Sequence, residues 1–128
     1  MNKNINIAIV GLGQIGNYLY NELNIKKKNI QTKTGKKINI VAISAKNKNK
    51  KRKYKINKKI FYKNSLNIFS KKKIDILFEV IGNSDGISKK IVELAIKRKI
   101  HVITPNKALI SKHGNYLSSL AEKNKVNL

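Results

Sequence analysis

Residues 4–16 read NINIAIVGLGQIG. Asn and Ile alternate at first, then Ile7–Val10 is wholly apolar, the pattern of a strand that enters the middle of a sheet. Gly11, Gly13 and Gly16 follow at once in G-x-G-x-x-G spacing. That spacing alone is a weak signal; its weight comes from following a buried strand and opening a helix. Gly11 would permit the tight turn, Gly13 would let the backbone approach a pyrophosphate, and Gly16 would let the helix pack closely on the strand. Phosphates would then lie at the helix N-terminus, beside its free N–H groups and its positive dipole end. The competing reading is a glycine turn in an α/β protein that binds no nucleotide.

Outward from this point, Ile15, Tyr18, Leu19 and Leu23 repeat at helical spacing and predict an amphipathic helix with these four on its apolar face. Residues 26–37 are polar, contain Gly35, and read as a connection. A second strand is expected at 38–44 (INIVAIS), rich in β-branched residues. Residues 46–59, almost all Lys and Asn, read as an exposed loop. A short strand at 60–62, a weak helix at 65–72 and a buried strand at 74–81 (IDILFEVI) follow. Ser84 or Asp85 is placed to cap a helix whose apolar face is Ile87, Ile91, Leu94 and Ala95. A strand at 100–104 ends at Pro105, which cannot donate to a ladder. A helix over 106–123 is expected, with a break near His113–Gly114, and residues 126–128 read as the start of another strand. Regular alternation of strands and helices predicts an α/β fold, a Rossmann-like doubly wound parallel sheet. Because the chain stops where a strand begins, the sheet is expected to be incomplete at its C-terminal end.

The length of 128 residues has room for one domain, read as 1–128, and a 41% hydrophobic fraction supplies a core. There is no cysteine and only two histidines, His101 and His113, far apart in sequence; no metal site is expected. No apolar stretch nears the roughly 18 residues of a membrane span. The apolar start leads straight into glycines without a cleavage site, so the chain is read as cytoplasmic. A net charge of +23 invites a nucleic-acid reading. However, Asn and Ile are as overused as Lys, all three have codons rich in A and T, and aromatics are sparse at 6%. The charge therefore reads as compositional, and no nucleic-acid partner is expected.

Ligands of such sheets bind at the carboxyl ends of the strands. The second strand ends Ser44-Ala45-Lys46-Asn47, without the acid that would bond a ribose 2′-OH. Lys46 and its basic neighbours favour a 2′-phosphate, so NADP is preferred to NAD. Gly82, Asn106 and Lys107 follow later strand ends and face the nicotinamide side. The alternative reading of Asn106 is an ordinary helix cap. Glu79, inside a strand, needs a partner, for which Lys107 is the candidate. His101 and His113 read as structural.

These stretches together resemble the homoserine dehydrogenase family over essentially the whole length. IAIVGLGQIG resembles its opening, INIVAISAK its second strand, and FEVIGNSDG its strand and helix-capping turn. ITPNKALISKHGNYLSSLAEKNKV is similar to its signature around Asn-Lys-Ala-Leu and a later His-Gly. Asn83 stands where a second glycine is common, and Pro105 where Ala is usual. The resemblance implies an oxidoreductase: reversible reduction of L-aspartate 4-semialdehyde to L-homoserine with NAD(P)H, on the way to threonine and methionine, in a homo-oligomer. It implies that Gly11, Leu12, Gly13, Gln14, Ile15 and Gly16 hold the pyrophosphate and that Lys107 contacts the cofactor near its reacting end. No catalytic residue is expected in this chain, because the family's substrate-binding region follows this domain; the chain alone is expected to be inactive. A stand-alone dinucleotide-sensing module is the alternative.

Overall fold

A computed structural model describes residues 3–82 and 85–128, with Lys71 described by its backbone alone. Five parallel strands form the sheet: β1 (Lys3–Val10), β2 (Lys36–Ser44), β3 (Phe61–Tyr62), β4 (Ile76–Glu79) and β5 (His101–Ile103), in the order β3-β2-β1-β4-β5. The chain leaves β1 first towards β2 and β3, then returns to place β4 on the other side. The carboxyl end of β1 is thus the switch point of a doubly wound sheet. Pairing of β1 with β2 shifts register between Ile7 and Ala8, so that Ile7 faces Ile40 and Ala8 faces Ala42.

The period-two alternation of β1 feeds two cores. Ile7 and Ile9 pack with Tyr20, Ile38 and Ile43 under helix α1 (Gln14–Thr34). Ala8 and Val10 pack with Leu77 and Val102 under α3 (Ile87–Lys97) and α4 (Lys107–Lys123). Ile68 of the short α2 (Ile68–Lys71) closes this second core, all of its side chain out of solvent. Helices therefore cover both faces, as the alternation of elements requires.

Several elements differ from their sequence-based prediction. The 26–37 segment is no simple connection: α1 runs on to Thr34 and ends at Gly35, which takes the left-handed φ of +73° that a glycine C-cap supplies. The lysines of 26–28 lie on a long, largely solvated turn, with Ile30 packing inward. The helix is turned only in part from its expected phase, since Leu19 and Leu23 pack inward as expected. Ile15 and Tyr18 are exposed, while Gly16, Asn17 and Tyr20 face the sheet. Close approach at Gly16 sets that rotation and overrides the apolar stripe at Ile15 and Tyr18. α4 continues unbroken through His113 and Gly114. Residues 126–128 form no strand, although Val102 N–H donates to the Asn127 carbonyl at 3.0 Å beside β5. α3 starts from Gly86, at φ +68°, while Asp85 turns towards Lys112 and His113; Asn83 and Ser84, with the cap expected of the latter, lie outside the described residues. No helix among the described residues is long and apolar enough to cross a membrane.

Candidate functional site

The turn after β1 is fixed by contacts that only glycine allows. Gly11 N–H donates to the Ser44 carbonyl at 2.8 Å and Val80 N–H to the Val10 carbonyl at 2.9 Å, so the turn is pinned between the ends of β2 and β4. Gly11 has φ +105°, and a Cβ there would lie 2.7 Å from the Val80 carbonyl. A Cβ on Gly16 would lie 1.9 Å from the Gly11 carbonyl oxygen. Gly13 is different: it has φ −70° and ψ −160°, and a Cβ built on it would meet nothing within 4 Å. Sterics inside the protein do not require glycine at Gly13. The open space over it, at the start of α1, is where a ligand would need a bare backbone, and there the first N–H groups of the helix lack intrahelical acceptors.

A cleft of about 930 Å³ opens at this turn. Gly11, Leu12, Gly13, Ser44, Ala45 and Lys46 line one side, Phe61–Ser65 close the far end, and Val80, Ile81 and Ile87 form the other wall. Of the ten candidate binding residues, the cleft thus gathers Gly11, Leu12, Gly13 and Lys46. Gln14, Ile15 and Gly16 form the first turn of α1 behind it. Gly16 is buried, whereas the Ile15 side chain is 65% exposed. Gly82, Asn106 and Lys107 stand at the ends of β4 and β5 and do not line the cleft.

Those two ends are tied together by Glu79, which is entirely buried. Its Oε2 accepts from the backbone N–H of Ile81 at 2.7 Å and of Gly82 at 3.1 Å. Its Oε1 accepts from Thr104 Oγ1 at 2.7 Å and Asn106 Nδ2 at 3.2 Å. Lys107 is therefore not its partner: it is exposed at the start of α4, and neutral donors satisfy the carboxylate instead. Asn106 is the N-cap of α4, its Oδ1 accepting from Leu109 N–H at 3.0 Å. His113 Nε2 sits 2.8 Å from Asp85 Oδ1, and Lys112 Nζ donates to the other carboxylate oxygen. The hydrogen bond from Lys112, then that from His113, hold the Asp85 carboxyl down at about 2. His101 Nδ1 accepts from Asn127 N–H at 3.0 Å, a structural role.

The sequence reading missed two contributions to this region. The end of β3, from Phe61 to Ser65, borders the cleft, and its signal was only its place at a strand's carboxyl end. The Lys-Asn run is also no loose loop: Asn17, buried in α1, bonds both the N–H and the carbonyl of Tyr54 at 2.9 Å.

A parallel sheet with the order β3-β2-β1-β4-β5 and a glycine turn at its switch point defines a dinucleotide-binding Rossmann domain. The sequence model of the homoserine dehydrogenase NAD-binding domain matches residues 11–128. The chain belongs to that family. It is 32% identical over 124 residues to homoserine dehydrogenase of Neisseria gonorrhoeae, a match covering 97% of this chain and 28% of that enzyme. The crystal structure of Staphylococcus aureus homoserine dehydrogenase superposes with a TM-score of 0.91 at 34% identity, over 100% of this chain and 32% of that one. The enzyme from Thiobacillus denitrificans gives 0.81 at 26% identity, over 98% of this chain and 28% of that one. The chain thus spans less than a third of the length of these relatives.

Proposed function

We propose that the chain is the cofactor-binding domain of a homoserine dehydrogenase, serving the reversible reduction of L-aspartate 4-semialdehyde to L-homoserine in the cytoplasm. The observation that carries this is the glycine turn: Gly11 and Gly16 are sterically obliged, while Gly13 stands open towards the cleft. A dinucleotide fits it. The pyrophosphate would lie on the backbone of Gly11–Gly16, and the adenosine would run over Ser44–Lys46. The nicotinamide end would point towards Gly82, Asn106 and Lys107. When bound, the cofactor supplies or accepts the hydride; the chain supplies position and field. Lys107 holds a cation at that end, and Glu79 holds the two strand ends in register. The group that donates a proton to the substrate carbonyl, and the surfaces that make the enzyme a homo-oligomer, belong to the substrate-binding region outside this chain.

NADP is preferred over NAD. β2 ends on Ser44 with no acid to bond a ribose 2′-OH, and Lys46 stands exposed on the cleft rim where a 2′-phosphate would sit. Titration of the purified chain with NADPH and NADH, read by nicotinamide fluorescence at fixed salt, tests both levels. NADPH binding that weakens with Lys46→Ala supports both. Equal binding of the two cofactors keeps the domain and removes the NADP preference, and binding of neither by folded protein removes the reading. The chain alone is expected not to oxidise homoserine; measurable turnover would contradict the division of labour proposed here.

A further inference from the structure

Residues 45–59 carry nine Lys and Arg and no carboxylate. A chain segment of like charges repels itself and extends. This one instead folds round the guanidinium of Arg52. Nη2 donates to the Asn47 carbonyl at 2.7 Å, and Nη1 donates to those of Lys48 at 3.3 Å and Lys50 at 3.2 Å. Nε reaches out of the loop to the Leu12 carbonyl at 3.2 Å, between Gly11 and Gly13. Four of the five N–H groups of the guanidinium are thereby used on carbonyls. The loop's other arm is fastened to α1 by Asn17 on Tyr54 and by Tyr20, whose hydroxyl accepts from Asn57 N–H at 3.0 Å.

Two consequences follow from this geometry. Arg52 is occupied in holding backbone, so it is poorly placed to grip an anion itself. Yet by holding the carbonyls of Asn47, Lys48, Lys50 and Leu12 it ties the solvent-exposed stretch Lys46–Lys50 to the glycine turn, with no acid in the loop to offset its charge. Such a charge concentration is costly alone and is relieved by an anion, and its field over the cleft favours ligands of higher negative charge.

We propose that Arg52 is a positioning residue that clamps the lysine-rich loop onto the glycine turn and so sets the preference for a dinucleotide bearing a 2′-phosphate. This rests on the cofactor reading above. A lysine keeps the charge of Arg52, but its compact ammonium cannot span four carbonyls in the plane of a fork. Arg52→Lys therefore separates geometry from charge.

The experiment titrates wild-type chain and Arg52→Lys with NADPH and with NADH, in 50 mM and 500 mM KCl. The expected result is a loss in NADPH affinity about tenfold greater than any loss for NADH, the size of one well-placed charged contact, since the bond to the Leu12 carbonyl serves both cofactors alike. Wild-type NADPH binding should weaken more steeply with salt than NADH binding, since the extra charge is screened. An unchanged NADPH-to-NADH ratio in Arg52→Lys, or equal losses for both cofactors, would overturn the proposal while leaving the cofactor reading intact. If the variant does not fold, the wild-type salt dependence decides, and equal slopes for the two cofactors overturn it. Binding of neither cofactor by the wild type would overturn the underlying reading and this proposal with it.

Discussion

The glycine turn after β1 and the joined ends of β4 and β5 stand side by side on one sheet and are held in opposite ways. The turn is held by the absence of side chains: Gly11 and Gly16 let backbone meet backbone at distances no Cβ permits. The β4–β5 junction is held by a side chain, the buried carboxylate of Glu79 with its four neutral donors. The exclusion between Gly16 and Gly11 acts over a few residues and leaves a spacing in the sequence, even though Gly11 also excludes a side chain against distant Val80. A hydrogen-bonded carboxylate acts between residues 79 and 106 and leaves none.

The sharpest way to break the first region is Gly16→Ala. Its Cβ would fall 1.9 Å from the Gly11 carbonyl oxygen, so either α1 or the turn must move. A loss of about 3 kcal/mol or more is expected in urea unfolding, at the upper end for overpacking, together with loss of dinucleotide binding.

Glu79→Gln probes the second region, with a smaller expected loss of about 2 kcal/mol. The amide can turn its oxygen to the Ile81 and Gly82 N–H groups and its NH2 to Thr104, whose hydroxyl can accept. Three of the four groups then keep their bond to residue 79, but Asn106 Nδ2 meets a donor in place of an acceptor, and the charge that strengthens these bonds is gone. Crystal structures of the variant should show Asn106 turned or displaced, and a loss as large as that of Gly16→Ala would mean that the charge itself holds the junction.

The ends of α3 and α4 sharpen the contrast further, because there a carboxylate works in solvent. The folded value of Asp85, about 2, lies below its ordinary 3.8, so its contribution is fully present above pH 4 and is lost as the pH falls towards 2. The difference in stability between wild type and Asp85→Asn should shrink over that window. A difference constant from pH 5 to pH 2 would show that Lys112 and His113 do not hold the carboxylate in solution.

The same contrast explains what was legible in advance. The strands, the glycine turn and the apolar faces of α3 follow from local patterns. The phase of α1 did not, because close packing at Gly16 outweighs the burial of Ile15 and Tyr18. Its length was hidden by Lys26–Lys28, although Ile30 and Gly35 carry the signal of an inward contact and a left-handed cap. The site divides likewise: Gly11, Gly13 and Lys46 were readable from motif and topology. The partners of Glu79, like the clamping role of Arg52, depend on carbonyls and side chains distant in sequence, and a Lys-Asn run looks solvated however it is fastened.

The central claim is that Gly13 is bare for a ligand and not for the fold. The most direct test is to compare Gly13→Ala with wild type for both thermal unfolding and NADPH binding. Its backbone angles suit alanine and the added methyl meets no protein atom within 4 Å, so the midpoint of unfolding should stay within about 2 °C. NADPH affinity should fall at least about tenfold, because the methyl occupies the place of the pyrophosphate. Undiminished NADPH binding by a folded Gly13→Ala chain would contradict the account.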